Sequence, residues 1–336
     1  MTIREEIGKR ILFFDGGMGT LLQEQGLQAG ELPETWNLKN PEPIIQIHKA
    51  YLAAGADILL ANTFGANRFK YGEDLEKIVT AGVANAKKAV AESGKKAYVA
   101  LDIGSTGKLL KPMGTLDFEE AVGVFAEIIR VGEKAGADLI LTETMSDTYE
   151  LKAAVLAAKE NSTLPIMATV IFDESKKMLT GASPQVVVSL LEGLGVDALG
   201  INCGLGPKQM KEIVKELLKY ASIPVIAGLP RSENGKTVFD VGAEEFAEDM
   251  EEIVTMGAWF AGGCCGTTPA HIQAMVEKCK EITPVPITPK NYTFVTSYST
   301  AVELGGRPVI IGERINPTGK SKFKQALRNH NIDYIL

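Results

Sequence analysis

Short apolar runs rich in strand-forming residues recur along this chain, and each is followed by a longer stretch whose apolar positions return every three to four residues. The short runs are Ile11–Phe14, Asp57–Ala61, Ala97–Leu101, Asp138–Leu141, Pro165–Val170, Ala198–Ile201, Pro224–Ala227 and Trp259–Ala261. Strand and helix signals in strict alternation predict a parallel sheet of βα units. Four of the returns from helix to strand share one spelling: Gly55-Ala56-Asp57, Gly136-Ala137-Asp138, Gly195-Val196-Asp197 and Gly257-Ala258-Trp259. Glycine there can take the left-handed conformation that closes a helix. Eight units in about 280 residues match a (β/α)8 TIM-type barrel, whereas a doubly wound sheet usually takes fewer strands.

After Glu281 the pattern breaks. Ile282-Thr283-Pro284-Val285-Pro286-Ile287-Thr288-Pro289 cannot continue a helix and reads as an extended linker. Pro308–Ile311 is strand-like again and leads into Gly312-Glu313-Arg314-Ile315-Asn316-Pro317-Thr318-Gly319-Lys320 and a short helical segment. One βα unit cannot bury its own apolar face, so the expected organisation is a barrel over 1–285, a linker over 286–305 and the first unit of an incomplete second barrel over 306–336. A hydrophobic content of 45% is enough for a large core, and the length suits one big α/β domain or two smaller ones. The net charge of −7 offers no basic stripe for phosphates, so a small molecule is expected as partner and no nucleic acid. No run approaches the roughly 20 apolar residues of a membrane span, and the first ten residues hold no apolar signal core. No membrane partner is expected, and the location read from the sequence is cytoplasmic.

In a barrel of this kind the chemistry sits where strands end and βα loops begin. Asp15 follows the first strand, Asn62 the second, Asp102 the third, Glu143 the fourth, Asn202-Cys203 the sixth and Cys264-Cys265 the eighth. Cys203, Cys264 and Cys265 all lie in glycine-rich turns. Converging, they would hold one zinc ion (Zn2+) with a tetrahedral position left open, and a substrate thiol entering that position would be deprotonated. The plainer reading is three reduced cysteines buried in tight turns. Cys279 lies in a helical segment and reads as packing. Asp15-Gly16-Gly17-Met18-Gly19-Thr20 is either a tight βα turn or a cradle whose amides near Gly16 and Gly17 take a carboxylate or phosphate. Asp15 and Glu143 could together hold an ammonium group, and Asn62 and Asp102 could shape the pocket; a rim salt bridge is the alternative for Glu143 and Asp102. His48, His271 and His330 share no motif spacing and read as surface or packing residues.

These residues resemble the homocysteine S-methyltransferase family, in particular the N-terminal module of its cobalamin-dependent members. The resemblance covers residues 1–280 through Asp15-Gly16-Gly17-Met18-Gly19-Thr20, Asn62-Thr63-Phe64-Gly65-Ala66, Asp102-Ile103-Gly104, Thr142-Glu143-Thr144, Gly200-Ile201-Asn202-Cys203 and Gly262-Gly263-Cys264-Cys265-Gly266-Thr267-Thr268-Pro269. It implies zinc on Cys203, Cys264 and Cys265, homocysteine bound through its thiolate, and transfer of a methyl group to give methionine. Val309–Gly319 resembles the opening of the folate-binding (pterin) barrel that follows in such proteins. That implies methylcobalamin as direct donor, carried by a cobalamin-binding domain or corrinoid protein, with the remainder of a folate-binding domain as a further partner. Betaine or another small methyl donor is the alternative within the enzyme class; a zinc or corrinoid-protein docking module without turnover is the alternative outside it. One departure stands out: where the family carries Pro-Asn-Ala-Gly after strand seven, this chain reads Ile223-Pro224-Val225-Ile226-Ala227-Gly228-Leu229-Pro230, which suggests a shortened loop there.

Overall fold

The computed structural model describes residues 2–230, 242–312 and 317–335. Eight parallel strands form one sheet: β1 (Leu12–Phe13), β2 (Ile58–Leu60), β3 (Tyr98–Ile103), β4 (Leu139–Met145), β5 (Ile166–Val170), β6 (Ala198–Asn202), β7 (Val225–Leu229) and β8 (Phe260–Gly263). The order β1-β8-β7-β6-β5-β4-β3-β2 runs round in sequence, and the seam between β1 and β2 carries a Phe14–Ile58 bridge with the Asp15 amide donating to the Ile58 carbonyl at 3.1 Å. This is the TIM-type barrel that the alternating pattern predicts. All eight predicted runs became strands.

Helices cover the outside. α1 (Ile3–Glu6) precedes β1; α2 (Met18–Glu24), α3 (Trp36–Lys39) and α4 (Pro41–Ala54) follow it. α5 (Arg68–Tyr71) and α6 (Leu75–Ser93) follow β2, and α7 (Phe118–Lys134), α8 (Thr148–Asn161), α9 (Pro184–Leu194), α10 (Pro207–Tyr220), α11 (Ala243–Met256) and α12 (Pro269–Cys279) follow β3 to β8 in turn. Gly55, Gly136, Gly195 and Gly257 all have positive φ, between 71° and 128°, as the repeated spelling requires.

Strand alternation sorts the core into two layers. Ile11, Phe13, Leu59, Ala61, Val99, Leu101 and Ile140 pack outward under the helices. Leu12, Phe14, Ile58, Tyr98, Ala100, Leu139, Leu141, Met167, Ala198, Ile226 and Phe260 fill the barrel, and Ile3 packs with them. The same parity continued toward the strand ends reaches Asp102, Glu143, Asn202, Gly228 and Gly262. The interior therefore changes from apolar to polar along β3, β4 and β6.

The chain divides into two compact units, Met1–Val302 and Glu303–Leu336. Residues expected to form an extended linker are packed within the first unit. Tyr292 lies 5.7 Å, ring to ring, from Tyr220 and 5.4 Å from Phe294, Trp259 Nε1 donates to the Val285 carbonyl at 2.8 Å, and Tyr298 donates to Asp147 at 2.7 Å. Aromatic side chains with an apolar surface at hand bury there rather than stay extended in water. Strands β9 (Thr293–Thr296) and β10 (Ala301–Leu304) form a small two-stranded sheet. In the second unit, Pro308–Ile311 carries no strand and pairs with no strand among the described residues, and Ile310 is 97% exposed. α13 (Ser321–Arg328) and α14 (Ile332–Ile335) complete it; the expectation at 313–316 lies outside the described residues.

Candidate metal and substrate site

Two loops bring the cysteines together. Asn202 ends β6, and Cys203 follows with φ of 65°, a left-handed conformation uncommon for a non-glycine residue, with Gly204 at 89° behind it. β8 ends at Gly263, and Cys264-Cys265 begin the turn into α12. The Cys203 and Cys265 sulfurs stand 3.8 Å apart and those of Cys264 and Cys265 3.9 Å, with all three within 4.8 Å of one another. A tetrahedral ion with metal–sulfur bonds near 2.3 Å sets its ligands about 3.8 Å apart. The spacing is that of one metal ion held by three thiolates.

Hydrogen bonds from Cys203 and Cys264 pull the Cys265 thiol down to about 3, while Cys264 is pushed well up by its two sulfur neighbours and by burial. The trio thus holds one negative charge readily and resists the next, as crowded like charges do. A divalent cation removes that resistance. Cys279 is fully buried in α12, as expected of a packing residue.

Beside the sulfurs lies a cavity of about 240 Å³ whose walls include Gly16, Gly17, Asn62, Asp102, Glu143, Cys264 and Cys265. That is smaller than a drug-sized pocket and suits an amino acid. A larger cleft of about 560 Å³, lined by Lys111, Tyr149 and Tyr298 among others, lies elsewhere and gathers no comparable set of reactive groups. Asp102 is buried with Oδ1 unpartnered; burial, then Glu143 and Asp15, push its carboxyl well up. Glu143 is pushed up to about 8, first by burial and then by Cys265. A one-residue irregularity in β4 against β5, between Thr142 and Met145, and a positive φ of 54° at Thr144 set the strand end on which Glu143 sits.

Asp15 and Gly17 sit differently from their sequence reading, while Asn62 lines the cavity and also holds a loop. Asp15 is not on the cavity wall: it is 1% exposed, with Oδ2 accepting from the Leu60 amide at 3.0 Å and Oδ1 buried without a partner. Asn62 clamps the β2 loop, donating to the Pro33 carbonyl and to Asn37 Oδ1, both at 3.0 Å. The Gly17 amide is shared at 3.3 Å between the Thr267 carbonyl and hydroxyl, so it is partly spoken for as an anion donor. Side chains at Gly16 and Gly17 would collide with Thr267, Tyr51 and the Cys264 carbonyl, which gives both glycines a packing reason. The Ala227-Gly228 step lies inside β7 and not after it; Ile226 precedes it in the barrel interior, and Gly228 leaves room for the Asn202 side chain. The loop beyond, 231–241, lies outside the described residues.

Sequence reading missed two groups. Glu34 lines the cavity, accepting from the Gly65 amide at 2.5 Å and the Tyr71 hydroxyl at 2.6 Å; a Pro-Glu-Thr turn carries no signal for that. His48 is fully buried on α4 near Asp15, and its place on the apolar face shared with Ile44 and Tyr51 was the available signal.

Residues 12–279 match the family model described as homocysteine S-methyltransferase. The methionine synthase of Mycobacterium leprae (strain TN) is 32% identical over 355 residues, covering 96% of this chain and 29% of that protein; that of Mycobacterium tuberculosis (strain ATCC 25618 / H37Rv) is 31% identical with the same coverage. The chain therefore spans less than a third of the length of these relatives. Among solved structures, the apo form of the homocysteine methyltransferase MmuM from Escherichia coli superposes with a TM-score of 0.65 at 25% identity, over 80% of this chain and 96% of that one. Its metallated form, at 24% identity and a TM-score of 0.68, shares the fold. With the family model running from the first strand to the last barrel helix, and both cysteine turns inside it, the chain belongs to the homocysteine S-methyltransferase family.

Proposed function

We propose that this chain methylates the thiol of homocysteine to give methionine, as the homocysteine module of a methionine synthase. The observation that carries the reading is the trio of sulfurs from two separate strand ends, spaced for one tetrahedral ion. Cys203, Cys264 and Cys265 would hold zinc. Zinc bound there supplies a positive charge that keeps a substrate thiol deprotonated at neutral pH.

The chain's own residues do the rest. Glu143 on the wall, with Asp15 buried beside it, balances the substrate's ammonium; the Gly16-Gly17 edge lies against its carboxylate; Asn62 and Asp102 fix the shape of the cavity. Burial of these acids disfavours their charged forms, so a cationic amine is the complement the site lacks. Methylcobalamin, presented by another domain or protein, is the donor we favour. The support is the likeness of Val309–Gly319 to the start of a folate-binding barrel, with residues 1–285 as barrel, 286–305 as connection and 306–336 as the beginning of that next domain.

Zinc content and the zinc K-edge X-ray absorption spectrum, with and without homocysteine, test the site in the wild type and in Cys203→Ala. One added sulfur ligand with homocysteine, absent in Cys203→Ala, is the expected result. A metal-free protein or an unchanged spectrum would point to a docking module, and turnover with betaine in the absence of corrinoid would reassign the donor.

A further inference from the structure

Helix α4 brings an unexplained polar side chain to Asp15. His48 is fully buried, neither ring nitrogen has a hydrogen-bond partner, and Nδ1 stands 4.0 Å from Asp15 Oδ2. Asp15 complements it, with Oδ1 also buried and unpartnered. Each unmade buried hydrogen bond costs about 1–3 kcal/mol, so three such atoms on two facing residues need a reason. A histidine kept only for structure finds a partner, as His271 does with Nδ1 2.9 Å from Thr268 Oγ1 at the start of α12. Tyr51, one turn further along α4, has its hydroxyl committed to the Thr267 carbonyl at 2.9 Å, so it does not serve Asp15.

The separation of 4.0 Å is too long for a hydrogen bond, yet a shift of about 1 Å would close it. Burial holds the imidazole down to about 3, so His48 is neutral and offers one N–H, not a charge. An ammonium arriving at Glu143 on the cavity wall favours the ionised form of the neighbouring Asp15 carboxylate. An ionised carboxylate draws in its nearest donors through charge-assisted bonds roughly twice as strong as neutral ones.

We propose that His48 is a positioning residue: when a substrate amine bound at Glu143 favours a charge on the neighbouring Asp15, the Nδ1–H of His48 closes on Oδ2 and, with the Leu60 amide, fixes the carboxylate that backs the amine subsite. This rests on the reading above, in which Glu143, with Asp15 beside it, answers the amine. The role is indirect: His48 acts through Asp15 and is not among the residues on the cavity wall.

Isothermal titration of the zinc-loaded protein with L-homocysteine and with 4-mercaptobutyrate, the same thiol acid without its amine, separates the two levels. Wild type should prefer homocysteine. His48→Leu should lose about tenfold in affinity for homocysteine, equivalent to about 1.4 kcal/mol, and nothing for 4-mercaptobutyrate; His48→Asn, which keeps a side-chain N–H, should recover most of that loss. Equal losses for both ligands, or none, overturn the proposal. A wild type without preference for the amine-bearing thiol sinks the reading of an ammonium at Glu143 itself, and this inference with it, before any variant is made. Should His48→Leu fail to fold, imidazole ¹⁵N NMR of the wild type decides: homocysteine should shift the His48 Nδ1 resonance and 4-mercaptobutyrate should not, and identical spectra overturn the idea.

Discussion

Buried acids at the two ends of the barrel are in opposite states. At the N-terminal end, Glu6 accepts hydrogen bonds from Lys96, from Tyr98 at 2.9 Å and from Arg10 at 3.2 Å, and Lys96 above all holds its carboxyl below the usual range. At the C-terminal end, Asp15, Asp102 and Glu143 are pushed up by burial, and Asp15 and Asp102 each keep an oxygen without a partner. One strand serves both ends: β3 begins with Tyr98, beneath Glu6, and carries Asp102 near the other. Satisfied polar groups stabilise the closed end. The unsatisfied ones at the mouth are a standing cost, which the proposed substrate amine would offset.

The sharpest way to break this contrast is at the sulfurs. Cys265→Ala leaves two thiols where three were spaced for an ion. Zinc affinity, read by competition with a chelator, should fall by more than about 100-fold, beyond the range typical of residues that only support a metal ligand. Homocysteine methylation should disappear with it. Undiminished zinc binding would mean that the metal, if any, is held elsewhere.

Glu143→Gln comes next. It should weaken homocysteine binding by about 10–100-fold through loss of a charge-assisted partner, while raising thermal stability or leaving it unchanged. Its pH signature is distinctive. In the metal-free protein Glu143, pushed up to about 8, retains a proton that the unfolded chain has released above about 4.3. The folded state then binds more protons, so its contribution is full below the unfolded value and is lost as pH rises toward 8. Melting curves of chelator-treated protein should decline across that window, and Glu143→Gln should flatten them.

Glu6→Gln, the matching change at the closed end, should do the reverse. Stability should drop by about 1–2 kcal/mol at neutral pH, since charge-assisted bonds are lost while Lys96 and Arg10, both half exposed, stay hydrated. Glu6 contributes above its unfolded value and loses that contribution as pH falls through its depressed folded value. Homocysteine affinity should not move; if it does, the two ends are coupled through the β3 strand.

How far the sequence reveals this arrangement depends on the kind of signal. The eight strands were legible because short apolar runs and glycine caps repeat along the chain. Their C-terminal ends were not: Asp138–Leu141 continues to Met145, since Thr142-Glu143-Thr144 is polar and reads as loop although it lies in the barrel mouth. The convergence of Cys203 with Cys264-Cys265 followed from their strand numbers. The burial of Asp15 did not, and although the face shared with Ile44 and Tyr51 pointed to a buried His48, nothing local showed that it would stand beside Asp15. Nor could local pattern show that Tyr292, Phe294 and Tyr298 would draw the proline-rich connection onto the barrel, where a distant tyrosine supplies the surface.

The smallest effect tests what holds the mouth in place. The buried Tyr51 hydroxyl donates to the Thr267 carbonyl at 2.9 Å and lies 3.3 Å from the Gly17 carbonyl, tying α4 to the Asp15 turn and to the loop of Cys264-Cys265 at once. Tyr51→Phe removes that link without opening a cavity. The loss should be about 1 kcal/mol, because the Thr267 carbonyl still accepts from Gly17 at 3.3 Å. If the mouth is held mainly by such cross-loop bonds, zinc release to a chelator should quicken a few-fold while the melting temperature falls by only about 2–4 °C. A fall in melting temperature with unchanged zinc release would show instead that the sulfurs are placed by the strand ends alone, with the helix acting only on the core.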